Sequence, residues 1–162
     1  MKKISYPLIS LILFINIFAC AGYNPIFSSS NLKFKIEEYS ISGDQKFGYK
    51  IYSKLYNLSR SSETTPNTKN IYIKINSSQK KDATAKNTAG KVLGYRISVS
   101  TTITISDYLT EKEILSDSFS FSSTYKVQDQ FSETVKLEKQ IIENLAEKTY
   151  QDLLIKFSEN IL

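Results

Sequence analysis

The chain has 162 residues, 41% apolar and 23% charged, the composition of one globular domain rather than a disordered tail or a repeat array. It holds no His, no Trp and one Cys, which excludes His-based general-base catalysis, a Ser-His-Asp triad, a Cys-His nucleophilic pair, an intramolecular disulfide and a zinc or iron-sulfur centre. The formal charge of +5 is a mild surplus that suits an anionic lipid or membrane surface, is equally ordinary for a soluble domain, and comes with no nucleic-acid motif.

Lys2 and Lys3 precede an apolar run from Leu8 to Ala19, broken only by Ser10 and Asn16. This is the anatomy of a signal peptide. The run is shorter than the roughly 20 residues needed to span a bilayer, so a permanent transmembrane anchor is the weaker reading. It ends in Ile17-Phe18-Ala19-Cys20, which resembles the lipobox of bacterial lipoproteins, with Phe18 larger than that pattern usually carries. A thiol is a strong enough nucleophile to take up a diacylglyceryl group, and several acyl chains anchor a protein durably where one does not. Residues 1–19 are therefore expected to be a lipoprotein signal peptide, Cys20 the lipid attachment point, and residues 20–31 a lipidated tether. Ala21, in place of the Asp that marks inner-membrane retention, resembles an outer-membrane lipoprotein.

Residues 32–162 read as a single α+β domain. In Lys33 to Ile41, Phe34 and Ile36 share one parity and Tyr39 and Ile41 the other, which predicts a strand with a bulge near Glu37-Glu38. Gly43-Asp44 supplies a turn and cap, and Phe47, Ile51, Leu55 and Leu58 predict a helix from about Gln45 to Leu58, weakened by Gly48. Ser59 to Lys69 reads as a loop, and Asn70 to Ser78 as a half-buried strand with Ile71, Ile73 and Ile75 inward. Gln79 to Lys91 is expected to be a polar, basic connection.

Val92 to Asp107 alternates Tyr95, Ile97, Val99, Thr101, Ile103 and Ile105 and predicts a long strand. Tyr108 to Lys112 makes a turn, and Glu113 to Val127 returns with Phe119, Phe121, Ser123 and Tyr125 on one parity and Ser on the other. Ser132 or Asp129 can cap a final helix reaching about Asn160, whose buried stripe is Ile142, Leu145, Ala146, Thr149, Tyr150, Leu153 and Phe157. Its charges Glu138, Lys139, Glu143, Glu147 and Lys148 are expected on a solvated face. The order β-α-β-β-β-α predicts a two-layer sandwich: a mostly antiparallel four-stranded sheet with both helices on one face.

This whole pattern resembles the LPS-assembly lipoprotein family (LptE). The resemblance is carried by Cys20-Ala21-Gly22-Tyr23-Asn24-Pro25-Ile26-Phe27, similar to the family's Cys-Gly-Phe-x-Pro-Leu-Tyr start apart from the inserted Ala21. Gly94-Tyr95-Arg96 at the long strand and Ile141-Ile142-Glu143-Asn144-Leu145-Ala146 in the last helix support it. It implies no enzyme, catalytic residue, metal or cofactor, but an outer-membrane lipoprotein that plugs and helps assemble the LPS translocon barrel (LptD) and binds lipopolysaccharide in transit. It also implies basic residues toward phosphate, for which the candidates are Lys86, Lys91 and Arg96 in one region and Lys126 and Lys136 in another. An auxiliary lipoprotein of another envelope lipid transporter is the alternative. An envelope enzyme would have to use Glu37, Glu38 or Asp107, which are adjacent or isolated in sequence.

Overall fold

A computed structural model describes residues 32–60 and 68–161. The first strand, β1 (Phe34–Gly43), changes register against its neighbour between Ile36 and Glu38. That bulge lets Phe34 and Ile36, and then Tyr39 and Ile41, all turn toward the same layer despite their opposite parity. Gly43, at a φ of 73°, closes the strand where a Cβ would run into the Ser77 carbonyl.

Helix α1 (Gln45–Arg60) follows at once, its Asp44 cap accepting the Phe47 N–H at 3.0 Å. It runs two residues past Leu58 because the Ser59 hydroxyl is buried and accepts the Ile36 N–H at 3.3 Å. The last turn of the helix is thus fastened to the start of the strand.

Strand β2 covers Lys69–Lys86, so Gln79 to Lys86 is not the polar connection that its composition suggests. The strand pairs with β3 (Val92–Asp107) from Ile71 opposite Asp107 to Lys86 opposite Val92, in unbroken register as far as Ala83 opposite Tyr95 and with shifts on either side of Ala85. Backbone hydrogen bonds to a β-branched neighbour hold the segment from Gln79 extended although its own side chains supply little apolar area. The true connection is short: Asn87 Oδ1 accepts the Ala89 and Lys91 N–H groups at 3.0 and 2.8 Å, and Gly90 takes a φ of 82°. Strand β4 (Glu113–Lys126) returns antiparallel after a turn built on Asp107.

The sheet order is β1-β2-β3-β4, with β1 parallel to β2 and the remaining pairs antiparallel. Helix α2 (Phe131–Ile161) packs over β4 and β3, α1 over β1 and β2, and the two helices touch. Neither expected cap serves α2: Ser132 lies inside its first turn, while the Thr134 hydroxyl accepts the Gln128 N–H at 2.8 Å. Ile71, Ile73, Ile75, Ile97, Ile103 and Ile105 from the sheet meet Phe47, Ile51 and Leu55 of α1 and Leu153 and Phe157 of α2, all fully buried. Phe34 meets Phe157 edge to face at 5.2 Å.

The other face of the sheet is hydroxyl-covered. Ser98, Ser100, Thr102, Thr104 and Ser106 on β3 and Ser116, Ser118, Ser120, Ser122 and Thr124 on β4 have the opposite parity to the buried positions. Cross-strand pairs bond to each other, Thr102 to Ser118 at 2.8 Å and Ser100 to Ser120 at 3.1 Å. No second layer is expected on such a face, because there is little apolar area to remove from water.

Candidate functional site

Cys20, the expected lipid attachment point, lies outside the described residues, as do the other residues of the signal segment and tether. The five basic candidates are all described and all exposed. Lys86 ends β2, Lys91 closes the turn, Arg96 lies on β3 opposite Asp82 and Thr124, and Lys126 ends β4 opposite Gly94. Register therefore brings four of them to the end of the sheet that carries the β2–β3 hairpin. Lys136 joins this end from the second turn of α2, but from the helix layer, whereas Arg96 and Lys126 face the hydroxyl side. The five encircle one end of the molecule rather than line one cleft. None of them enters an ion pair among the described residues, so their charge stands free in solvent.

A basic residue that composition hid sits at the same end. Lys81 keeps the inward parity of Ile71, Ile73 and Ile75, a continuation legible in the sequence had the strand been carried past Ser78. Its amine pairs with Glu138 of α2 at 2.6 Å and lies 4.4 Å from the Tyr95 ring centroid. Glu138 also accepts the Tyr125 hydroxyl at 2.8 Å. Burial works against ionising Glu138, but the hydrogen bonds from Lys81 and Tyr125 prevail and hold its carboxyl below the usual range. This cluster pins the base of the hairpin to α2.

Of the other α2 charges expected on a solvated face, Lys139 is exposed as expected, whereas Glu143, Glu147 and Lys148 are engaged. Glu143 accepts Lys50 at 2.5 Å and Lys54 at 3.4 Å, Glu147 accepts Lys54 at 2.8 Å, and the Lys148 amine stands 4.5 Å over the Phe121 ring. The two glutamates stitch the helices together along the rim of the core, and Lys148 reaches β4 instead. Tyr95, Phe119 and Phe121 pack against that core.

Of the carboxylates considered for chemistry, Glu37 is bonded to Lys35 at 2.8 Å. Glu38 and Asp107 line one shallow cavity of about 360 Å³ with Tyr72, Ser106, Tyr108 and Glu111, with Glu38 on β1 two strands away from β3. Hydrogen bonds from the Thr110 N–H and hydroxyl lower the pKa of Asp107, and the same oxygen accepts all of its turn bonds. The described residues include no group of three or more His, Cys, Asp or Glu placed to hold a metal ion. No described helix is long and apolar enough to cross a membrane.

No family model matches the sequence, and no curated protein matches it either. Solved structures do match the fold. A minor lipoprotein from Acinetobacter baumannii aligns with a TM-score of 0.53 at 11% identity, over 80% of this chain and 96% of that one. The uncharacterized lipoprotein B from Nitrosomonas europaea aligns with a TM-score of 0.52 at 17% identity, over 76% of this chain and 81% of that one. The chain has the fold of these bacterial lipoproteins. At such identities the likeness concerns the path of the backbone and carries no residue roles.

Proposed function

We propose that the protein is a lipid-anchored lipoprotein of the outer membrane, tethered through Cys20, that plugs and helps assemble the LPS translocon barrel (LptD) and binds lipopolysaccharide during its transport. It acts by binding and scaffolding, without catalysis. The observation that carries this reading is the coincidence, in one chain, of a lipobox-like Ile17-Phe18-Ala19-Cys20 with a domain fold found in bacterial lipoproteins.

Two features of the surface support it. The lumen of a membrane barrel is polar and wet, and the hydroxyl face of β3 and β4 is suited to lie against such a wall through water. The projecting end, with Lys86, Lys91, Arg96, Lys126 and Lys136 unpaired, offers ammonium and guanidinium groups to the phosphates of lipopolysaccharide.

The test is made in a Gram-negative envelope. A photo-crosslinker at position 86 is expected to capture an outer-membrane barrel, and Cys20→Ser to abolish palmitate labelling. Capture of an inner-membrane transporter instead would assign the protein to another lipid pathway. Lys86→Glu combined with Lys136→Glu is expected to weaken lipopolysaccharide binding about tenfold with unchanged circular dichroism; unchanged binding would remove this end from the function.

A further inference from the structure

The sheet edge farthest from β4 carries an aromatic cluster that the plug reading does not use. Tyr39 of β1 stacks on Tyr52 of α1, ring centroids 3.9 Å apart and planes 24° from parallel. Tyr49 and Tyr56 each stand 5.8 Å from the same Tyr52 ring. Tyr52 packs against the core, but Tyr39 is 45% exposed, Tyr49 56% and Tyr56 40%. Three large rings gathered in solvent at one edge form a patch, not scattered surface apolarity.

Beside them lies an open groove of about 670 Å³ lined by Tyr39, Ile41, Gln45, Lys46, Tyr49 and Lys50. Its floor is aliphatic and aromatic, its rim carries two amines, and no carboxylate is among these lining residues. Lys46 enters no ion pair among the described residues, and Lys50 gives Glu143 only one of its three ammonium protons. The first turn of α1 contains no acidic residue. The charge complement of such a rim is an anion; the complement of the floor is a hydrocarbon chain. A sugar platform would need side chains able to both donate to and accept from ring hydroxyls, and of this lining only Gln45 and the tyrosine hydroxyls can.

We propose that this groove binds a phosphorylated amphiphile, its acyl chain laid along Ile41 and the Tyr39 and Tyr49 rings and its phosphate held by Lys46 and Lys50. The site shares no residue with the basic hairpin end and stands independently of the plug reading. Because Tyr combines an apolar ring with a polar tip, it suits the boundary between chain and headgroup.

The experiment uses the full chain carrying Cys20→Ser, so that no attached acyl group competes, and follows the tyrosine ring resonances by NMR. Dodecyl phosphate below its micelle concentration is expected to shift the Tyr39 and Tyr49 rings saturably. Tyr49→Ala should weaken this binding about tenfold and Lys46→Glu about fivefold, while Lys139→Glu, at an exposed position outside both sites, leaves it unchanged. Lys46 and Tyr49 are exposed, so both variants should keep the far-ultraviolet circular dichroism of the parent, and either alone suffices as a test. Dodecyl maltoside binding as tightly as dodecyl phosphate would overturn the phosphate assignment. Equal shifts with maltose or with inorganic phosphate alone, or unchanged binding in both variants, would overturn the amphiphile site.

Discussion

Gly48 sits in the interior of α1, where glycine ordinarily costs about 1 kcal/mol relative to alanine. The structure supplies its reason: a Cβ there would lie 2.6 Å from the Ile41 methyl and 3.3 Å from the Ser77 hydroxyl, so glycine sets how closely the helix approaches β1 and β2. Gly48→Ala should therefore destabilise the domain by about 1–3 kcal/mol, overpacking outweighing the better helix propensity; urea denaturation measures it, and a stabilised variant would contradict the close approach. Thr101 poses the converse case. Its side chain is fully buried, and its hydroxyl has no hydrogen-bond partner among the described residues. Thr101→Val keeps the shape and removes an unsatisfied polar atom, so a gain of about 1 kcal/mol is expected in the same assay. The alternation of β3 placed Thr101 inward, but only the packed structure shows that nothing there accepts or donates to it.

At the scale of elements, the α2 contacts with α1 and β2 make stability depend on pH at both extremes. Hydrogen bonding from Lys50 lowers the Glu143 carboxyl, and Lys81 and Tyr125 lower Glu138 against the opposing effect of burial. A depressed carboxyl contributes fully above its ordinary value, 4.5 here, and the contribution is lost as pH falls through the lower folded value. For Lys81, burial opposes the charge, but Glu138 and Tyr125 raise the folded value above 10.5, so its contribution is complete below 10.5 and fades as pH rises past the folded value. Stability is thus expected to plateau between these limits and decline outside them. Glu138→Gln should flatten the acid decline and cost about 1 kcal/mol at neutral pH, a figure kept small because both side chains are partly solvated. Denaturation midpoints from pH 2 to 8 check this; parallel curves for the variant and parent would show the pair contributes nothing. The sequence placed these charges on a solvated helix face because helical periodicity says which side leaves the core, not which neighbouring element stands beside its rim.

Across the whole molecule, one sheet face builds the core and the other stays wet. Because the hydroxyl face has so little apolar surface, the domain has no drive to pair through it with a copy of itself. Ser100→Ile combined with Ser118→Ile is expected to leave folding stability within about 0.5 kcal/mol while causing self-association, read by sedimentation velocity. A monomeric variant would show that the hydroxyls do not control association. The same polarity is what allows the face to lie against a wet barrel wall in the proposed function.

Much of this architecture follows from period and punctuation. Alternating isoleucines defined β2 and β3, the parity switch at Glu37-Glu38 defined the bulge, and Asp44 marked the start of α1. These are local signals, set by which side chains must leave water and which turns the backbone can make. The sequence also determined on its own the lipobox-like Cys20 and the absence of histidine chemistry. What tertiary structure decided was whatever depends on a partner distant in the chain. Gln79 to Lys86 is a strand because β3 pairs with it, and Lys81 meets Glu138 because α2 crosses the hairpin base. Tyr39 reaches Tyr52 because α1 packs over β1, a juxtaposition no spacing along the chain encodes.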